Sequence, residues 1–260
     1  MEVWHMNGAG NDFLVLDTRG QVLDLERLAK KYCAQFGADG FMAMDNSKTG
    51  DFRLHFYNAD GSRGEMCGNG SRCICRFAHA HGIPGEKLTV ETDAGPVFGW
   101  RISEDTYRVQ LNCPGILDLH RKEGIAYTEL GDPGVPHAVL ERTGLRWEDK
   151  ELLRQEAKCL RFDPAFPKGA NVNFYTWLGE NTIRILTYER GVEDYTLACG
   201  TGTGSAAAVL WMQGKLPGGV LAAKNQGGTL TATVQGEDGR ITALLLEGPT
   251  EVTEILELPV

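Results

Sequence analysis

The chain has 260 residues, and its 26 Lys and Arg against 35 Asp and Glu give a formal net charge of −9. This acidic balance argues against a surface that binds nucleic-acid phosphates. The longest apolar run, 206–212, is far shorter than the roughly 18 residues of a membrane span. The N-terminus shows no signal-peptide pattern. An odd number of cysteines, seven, fits reduced thiols, so we expect a cytoplasmic protein that does not bind membranes.

Two amphipathic segments predict helices in the first and second halves of the chain. The first begins at the N-cap residue Asp24 and ends at Gly37, and the second covers 147–160, each with apolar residues at helical spacing. Cys33 and Cys159 lie on these helices, and we interpret both as packing residues.

Alternating or β-branched segments predict strands in the rest of the chain. The predicted strands are 13–17, 51–57, 87–92, 107–111, 173–177, 182–188, 229–234 and 241–246. They come in consecutive groups and do not alternate regularly with helices, which favours an α+β fold over a doubly wound parallel sheet.

The sequence repeats one pattern in its two halves. Cys67-Gly-Asn-Gly precedes a predicted apolar helix over 71–81, and Cys199-Gly-Thr-Gly precedes another over 203–213. The offset is 199 − 67 = 132 residues, about half of the chain. Strands precede and follow each copy, so we expect two similar domains that join near residue 115.

Each repeat places a thiol beside a helix N-terminus, where backbone N–H groups lack partners and the helix dipole is positive. Such a position is expected to lower the pKa of a cysteine and to hold a carboxylate. Two thiols on opposite faces of one amino acid suit racemisation, in which one removes the α-proton and the other returns a proton. No lysine in these motifs suits a pyridoxal Schiff base, so we expect no cofactor.

Other interpretations of the cysteines and glycines fit less well. Cys67, Cys73 and Cys75 lack the usual zinc-site spacing, so we expect no metal. The glycines near residues 8 and 200 match neither a dinucleotide fingerprint nor a P-loop. A redox role would lack a Cys-x-x-Cys pair, although two facing thiols could still oxidise.

The ordered set of motifs resembles the diaminopimelate epimerase family. The matching segments are NGAGNDF at 7–13, FGADG at 36–40, YNADGS at 57–62, MCGNGSRC at 66–73, PH at 136–137, FPKGANVNF at 166–174, ERGVE at 189–193 and ACGTG at 198–202. The resemblance implies cofactor-independent interconversion of LL- and meso-diaminopimelate, in lysine and peptidoglycan precursor biosynthesis. It also implies two pseudo-symmetric domains, each a β-sheet rolled around a central helix, with limits 1–115, completed by 249–260, and 116–248.

The resemblance assigns roles to individual residues. Cys67 and Cys199 would be the two acid/base thiols. The substrate-contacting positions would be Asn11, Asn58, Gly68, Asn69, Asn171, Glu189, Arg190, Gly200 and Thr201. His137 would tune the ionisation of a thiol, as would Glu189, although a purely structural, hydrogen-bonded histidine is an equal alternative.

Three positions depart from patterns common in the family. Val135 stands where many members have a substrate-contacting Asn, Gly40 where some have a Gln, and Tyr195 near where a Glu is frequent. The Val135 change leaves the specificity for the distant end of the substrate open.

The competing functions are a racemase for another amino acid and a non-catalytic thiol redox or ligand-binding protein. The expected partner is a small amino-acid substrate, and a homodimer stays open.

Overall fold

The structure is a computed structural model that describes residues 1–64, 67–93 and 95–259. The chain divides into two compact units, unit 1 (Met1–Gln110 with Glu247–Val260) and unit 2 (Leu111–Leu246). The elements in chain order are β1 (Glu2–Gly8), β2 (Asn11–Asp17), α1 (Leu25–Phe36), β3 (Gly40–Asp45), β4 (Phe52–Asn58), α2 (Gly68–Ala80), β5 (Lys87–Thr92), β6 (Gly95–Arg101), β7 (Thr106–Leu111), β8 (Pro114–Lys122), β9 (Ile125–Gly131), β10 (Gly134–Glu141), α3 (Lys150–Arg161), β11 (Asn171–Gly179), β12 (Thr182–Glu189), β13 (Asp194–Tyr195), α4 (Gly200–Met212), β14 (Val220–Asn225), β15 (Gly228–Glu237), β16 (Arg240–Pro249) and β17 (Glu251–Glu257).

Unit 1 contains a mixed sheet in the order β17-β1-β2-β3-β4-β5-β6-β7. Strands β2 and β3 are parallel because α1 connects them, and β4 and β5 are parallel because α2 connects them. The remaining pairs are antiparallel. This order brings the end of β4 and the start of α2 to the same region of the unit.

The sheet of unit 1 is buried on both faces where β2 and β3 cross it. Phe13 and Met42 pack toward α2, whereas Leu14 and Phe41 pack toward α1. Helix α2 contacts β1, β2, β3 and β6, and apolar side chains from the strands of unit 1 surround it. The helix is therefore the core of the unit, and its N-terminal end is held in place by sheet on several sides.

Unit 2 repeats this topology. Strands β9 and β10 are antiparallel, β11 lies parallel to β10 after α3, and β14 lies parallel to β12 after α4. The antiparallel β14–β15 pair follows, as β5–β6 follows in unit 1. Helix α4 is apolar on all sides and buried along nearly its whole length. Each unit thus places one enclosed helix directly after the cysteine of a Cys-Gly-x-Gly motif.

The α+β class and the arrangement of a sheet around a central helix are confirmed. Helix α1 matches its prediction, since the Asp24 carboxylate accepts from the Arg27 N–H at 3.1 Å and Gly37 ends the helix in the left-handed region at φ 69°. The first turn of the segment 147–160 is a 3₁₀ helix, Trp147–Asp149.

Three details differ from the sequence predictions. Helices α2 and α4 begin three residues earlier than predicted, because the motif glycines form their first turns. Cys159 is exposed and does not pack, since the buried face of α3 is formed by Ala157 and Leu160. Among the described residues, no helix is long and apolar enough to span a membrane.

Candidate active site

Cys67 and Cys199 hold the same backbone position in the two units, the N-cap of the enclosed helix. Cys67 has φ −127° and ψ 121°, and Cys199 has φ −119° and ψ 113°. Their carbonyls accept the first helical hydrogen bonds, from Ser71 N at 2.7 Å and from Thr203 N at 2.9 Å. The motif glycines therefore belong to the first helical turn, whose N–H groups have no acceptors within the helix.

In unit 1, Asn69 connects the start of α2 to the β1–β2 hairpin. Its Nδ2 donates to Asn11 Oδ1 at 2.7 Å, and Asn11 Nδ2 donates to Asp39 Oδ2 at 3.1 Å. Asn69 is buried. Asn11 and Asn69, two of the four predicted substrate-binding asparagines, therefore lie in one polar chain at the first turn of α2. Met66, the first residue of the motif that contains Cys67, lies outside the described residues.

In unit 2, the thiol of Cys199 lies beside the carboxylate of Glu189. The sulfur accepts from the Gly202 N–H at 3.3 Å and is 3.5 Å from Thr201 Oγ1. Burial raises the pKa of Cys199 well above its usual value, and the charge of Glu189 raises it further. The Thr196 hydroxyl donates to Glu189 Oε1 at 2.6 Å. The expectation of a lowered thiol pKa is therefore wrong for Cys199, because burial and a carboxylate outweigh the helix N-terminus.

His137 is fully buried in a polar cluster of unit 2. Asn173 Nδ2 donates to His137 Nδ1 at 3.1 Å and to the Ala138 carbonyl at 2.9 Å. The contact with the Ala138 carbonyl fixes the amide orientation, so the Asn173 N–H group faces Nδ1. The amide nitrogen of Asn171 lies 3.5 Å from Nε2, the other ring nitrogen. Burial, together with the charge of Arg190, lowers the pKa of His137 to about 3. The side chain is thus a neutral imidazole, not a cation.

Asn171 and Arg190 lie together at neighbouring ends of β11 and β12. Asn171 Oδ1 accepts from the backbone N–H of Arg190 at 2.8 Å, and Asn171 Nδ2 donates to the Pro136 carbonyl at 3.0 Å. The Arg190 side chain is exposed, and its Nη1 donates to the Lys168 carbonyl at 3.2 Å. Asn171 therefore holds the backbone from which the guanidinium extends.

Asn58 occupies the position of unit 1 that corresponds to Arg190. The register pairs Gly40 with Asn58 on β3 and β4, and continuing the β11–β12 register places Ala170 opposite Arg190. Asn58 is exposed, and its Nδ2 donates to Ser62 Oγ at 2.9 Å. The two predicted contact residues thus come from equivalent strand ends.

The three departures from the family pattern have different structural settings. Gly40 begins β3, where a Cβ atom would lie 2.6 Å from Phe56 Cε2, so a larger side chain requires a shift of that ring. Tyr195 packs edge-on against Tyr188 with ring centroids 5.4 Å apart. Val135 is exposed on β10, two residues before His137.

Sequence reasoning missed Asn173, Thr187 and Thr196. Thr187 Oγ1 donates to Asn173 Oδ1 at 2.9 Å, and a Cβ atom at Gly202 would collide with the same oxygen. The cluster around His137 therefore reaches the first turn of α4. The signal in the sequence is the spacing of Asn171 and Asn173, since residues two apart on a strand share a face.

The fold is that of a class of proteins that contains racemases and epimerases. A Bacillus anthracis phenazine biosynthesis protein of the PhzF family aligns over 100% of this chain and 99% of that chain, with a TM-score of 0.76 and 14% identity. A probable proline racemase from Agrobacterium radiobacter K84 aligns over 100% and 93%, with a TM-score of 0.71 and 16% identity. At such low identity these likenesses show the fold alone.

The sequence comparisons define the family. A family model described as diaminopimelate epimerase matches residues 3–111 and 132–251. The diaminopimelate epimerase of Aquifex aeolicus is 39% identical over 82% of both chains, and that of Chlorobaculum tepidum is 34% identical over 94% of this chain and 96% of its own. The chain belongs to the diaminopimelate epimerase family and is an isomerase.

Proposed function

We propose that this chain interconverts LL- and meso-diaminopimelate by two-base proton transfer between Cys67 and Cys199, without a cofactor. The observation that carries the proposal is the repeated geometry, a cysteine at the N-cap of an enclosed helix in each unit. Inverting one carbon by proton transfer needs a base on one face and an acid on the other, and each unit offers one group of the right chemistry.

In the proposed reaction, one cysteine thiolate takes the α-proton and becomes a thiol. The electron pair left on the α-carbon spreads into the substrate carboxylate. N–H groups in the first turns of α2 and α4, from Gly68, Asn69, Gly200 and Thr201, are suited to stabilise that charge. The other cysteine then gives its S–H proton to the opposite face. Exchange with water returns both sulfurs to their starting states.

The proposed substrate carries a second amino-acid end, and Arg190 is the group suited to its carboxylate. A guanidinium offers a planar fork that matches two carboxylate oxygens. Asn58, at the equivalent strand end of unit 1, supplies an amide donor and acceptor. This reasoning favours a long diamino diacid, and the proposed reaction would belong to lysine and peptidoglycan precursor biosynthesis.

The test is incubation of the protein with LL-diaminopimelate in D₂O, followed by NMR and chiral chromatography. We expect deuterium at the α-carbon together with the meso isomer. Cys67→Ala and Cys199→Ala should each abolish interconversion, while each Ser variant retains part of it. Circular dichroism checks that the variants fold. Normal turnover by either folded Ala variant would exclude the two-thiol mechanism.

The same assay separates the competing functions. Faster α-proton exchange with proline, histidine or lysine than with LL-diaminopimelate would leave only a racemase of another amino acid. No exchange with any amino acid, together with reversible oxidation of the thiols, would indicate a non-catalytic thiol protein.

A further inference from the structure

Arg72 is a fully buried cation one turn inside α2. Its exposure is 0%, and α2 is enclosed by the sheet of unit 1. Its Nη1 donates to Asn69 Oδ1 at 3.0 Å and lies 3.4 Å from the Gly68 carbonyl. The side chain therefore folds back toward the N-terminal end of the helix, as helical side chains do. This direction places the guanidinium beneath the turn that begins at Cys67.

The hydrogen bonding of this guanidinium is incomplete. In the described part of the chain, Nε and Nη2 of Arg72 are buried and have no hydrogen-bond partner. A buried cation is costly unless an anion pairs with it. The N-terminal end of a helix also carries partial positive charge, so the helix dipole disfavours a cation here. A negative charge near the guanidinium would therefore stabilise the buried cation.

In the described chain, the titratable groups that act on the charge of Arg72 are the thiols of Cys73 and Cys67. Cys73 is fully buried, and burial raises its pKa to about 12, so it keeps its proton near neutral pH. Cys67 is only partly buried and caps the same helix. It is the thiol that can supply the missing negative charge.

Among the described residues, the other elements packed against α2 bring few competing charges. Asp12 on β2 is the carboxylate with electrostatic reach to Cys73, and its Oδ1 lies 3.7 Å from His5 Nε2 on β1. Burial raises the pKa of Tyr107 on β7, which keeps it neutral. Arg76, one turn further along α2, donates to the Thr250 carbonyl. Strands β3 and β6 contribute apolar side chains.

We propose that Arg72 is a positioning residue, the buried counter-ion that keeps the sulfur of Cys67 as a thiolate in the resting protein. The equivalent residue of α4 is Gly204, where a Cβ atom would lie 2.7 Å from Leu111 Cδ1 and 3.1 Å from Leu244 Cδ2. Unit 2 has no cation at this position, and Cys199 faces Glu189 instead. The resting protein then holds one thiolate, at Cys67, and one thiol, at Cys199.

This inference rests on the proposed function only in giving Cys67 a proton-transfer role. Cys67 would be the base that removes the α-proton from one of the two isomers. The reverse reaction would begin only after the proton moves from Cys199 to Cys67. Arg72 would thus favour the state with the thiolate at Cys67 over the state with the thiolate at Cys199 in the free protein.

The test is the pH dependence of iodoacetamide alkylation, followed at each cysteine by peptide mass mapping. Alkylation requires no turnover, so its outcome is independent of the epimerase assay. In the wild type, we expect Cys67 to react with a midpoint clearly below about 8.5, the value of a free thiol. Arg72→Met should raise that midpoint by one unit or more and slow alkylation at neutral pH about tenfold. Arg72→Lys should restore most of the reactivity.

Arg76→Met is the matched control, because it removes a cation from the same helix one turn further from Cys67. It should leave the Cys67 midpoint unchanged. An unchanged midpoint in Arg72→Met, or an equal shift in Arg76→Met, would overturn the proposal. If Arg72→Met does not fold, a wild-type midpoint at or above that of a free thiol overturns it alone. A rise in KM without a change in the alkylation profile would instead mean that Arg72 holds the substrate.

Discussion

The two cysteines share a backbone position but differ in their electrostatic surroundings. Cys67 begins a helix that contains the buried cation Arg72, whereas Cys199 lies against the carboxylate of Glu189. A helix N-terminus alone would treat both thiols alike. The neighbouring side chains therefore give the two copies of one motif opposite electrostatic surroundings.

Glu189→Gln should lower the pKa of Cys199. The carboxylate raises that pKa through its charge and through its hydrogen bond with the thiol, and Gln keeps an acceptor but loses the charge. Alkylation of Cys199 should therefore begin at lower pH, and kcat/KM should fall by roughly a hundredfold, the lower end of what a positioned proton-transfer group contributes. Peptide mapping and a turnover assay measure the two effects.

The control for this variant is Glu180→Gln, which removes an exposed carboxylate just before β12 begins. It should change neither quantity. A Cys199 profile that stays in place or moves to higher pH in Glu189→Gln would show that the carboxylate does not govern this thiol.

Arg190→Met should impair turnover of diaminopimelate more than it impairs folding, because the guanidinium is exposed and its backbone is held by Asn171. Hydrogen bonds to charged groups contribute about 1.5–3 kcal/mol, and about 1.4 kcal/mol is a tenfold change in rate. We expect kcat/KM to fall about ten- to a hundredfold, less in Arg190→Lys, which keeps the charge. Lysine should be a poor substrate of the wild type, since it lacks the distant carboxylate. Equal kcat/KM values for lysine and diaminopimelate would exclude this role.

At the scale of the elements, the sequence predicts those helices and strands that local residue patterns mark. Helix α1 is found because Asp24 and Gly37 mark its ends. Among the strands that lack a prediction, β3 and β9 are buried at every residue but the last, so they show no alternation of apolar and polar residues. The early starts of α2 and α4 also depend on packing, because the first-turn glycines fit against side chains from distant strands.

Local patterns also predict only part of the candidate active site. The cysteines, Asn171 and Arg190 are recognisable from motifs, and the structure brings Asn171 and Arg190 together. The partners of His137 and Cys199 depend on strand register, as the pairing of Asn173 with Thr187 shows. A single sequence contains no local signal for such cross-strand contacts, and the buried state of Arg72 depends on the sheet around α2.

Gly202→Ala should destabilise the protein, whereas Gly70→Ala, at the equivalent position of α2, should have little effect. A Cβ atom at Gly202 would collide with Asn173 Oδ1 and lie 3.1 Å from Thr187 Oγ1, two groups fixed by hydrogen bonds. At Gly70 it would lie 3.1 Å from Met42 Sδ, a flexible side chain. Overpacking costs about 1–3 kcal/mol, so urea unfolding should show a loss in this range for Gly202→Ala only. Equal stability of the two variants would contradict the rigid cluster described for α4.

At the scale of the whole molecule, repetition of one topology explains how a chain of ordinary composition builds two thiol sites. Each unit encloses its helix with strands before and after it, as the matching pairs β4–β5 and β12–β14 show. An enclosed helix has little freedom to shift, so its N-cap residue is held in place from several sides. The cost is that polar groups near the helix are buried too, and they must stay paired or neutral.

His137 makes the stability of the molecule depend on pH for this reason. Burial lowers its pKa to about 3, against an ordinary value of about 6.5 in the unfolded chain. Between these values the unfolded chain binds a proton that the folded protein does not, so lowering the pH favours unfolding. The stabilisation is complete above about pH 6.5 and is lost as the pH falls, by at most about 1.4 kcal/mol per pH unit.

Urea unfolding at intervals from pH 7 to pH 5 should therefore show a falling free energy of unfolding in the wild type. This range lies above the ordinary pKa values of carboxylates, about 3.9–4.3, so histidines dominate the slope. His137→Asn keeps an acceptor for Asn173 and removes the titrating ring, and its slope should be flatter than that of the wild type. His120→Asn, which replaces an exposed histidine on β8, should keep the wild-type slope. If His137→Asn and the wild type lose stability in parallel over this range, His137 is not held neutral by burial.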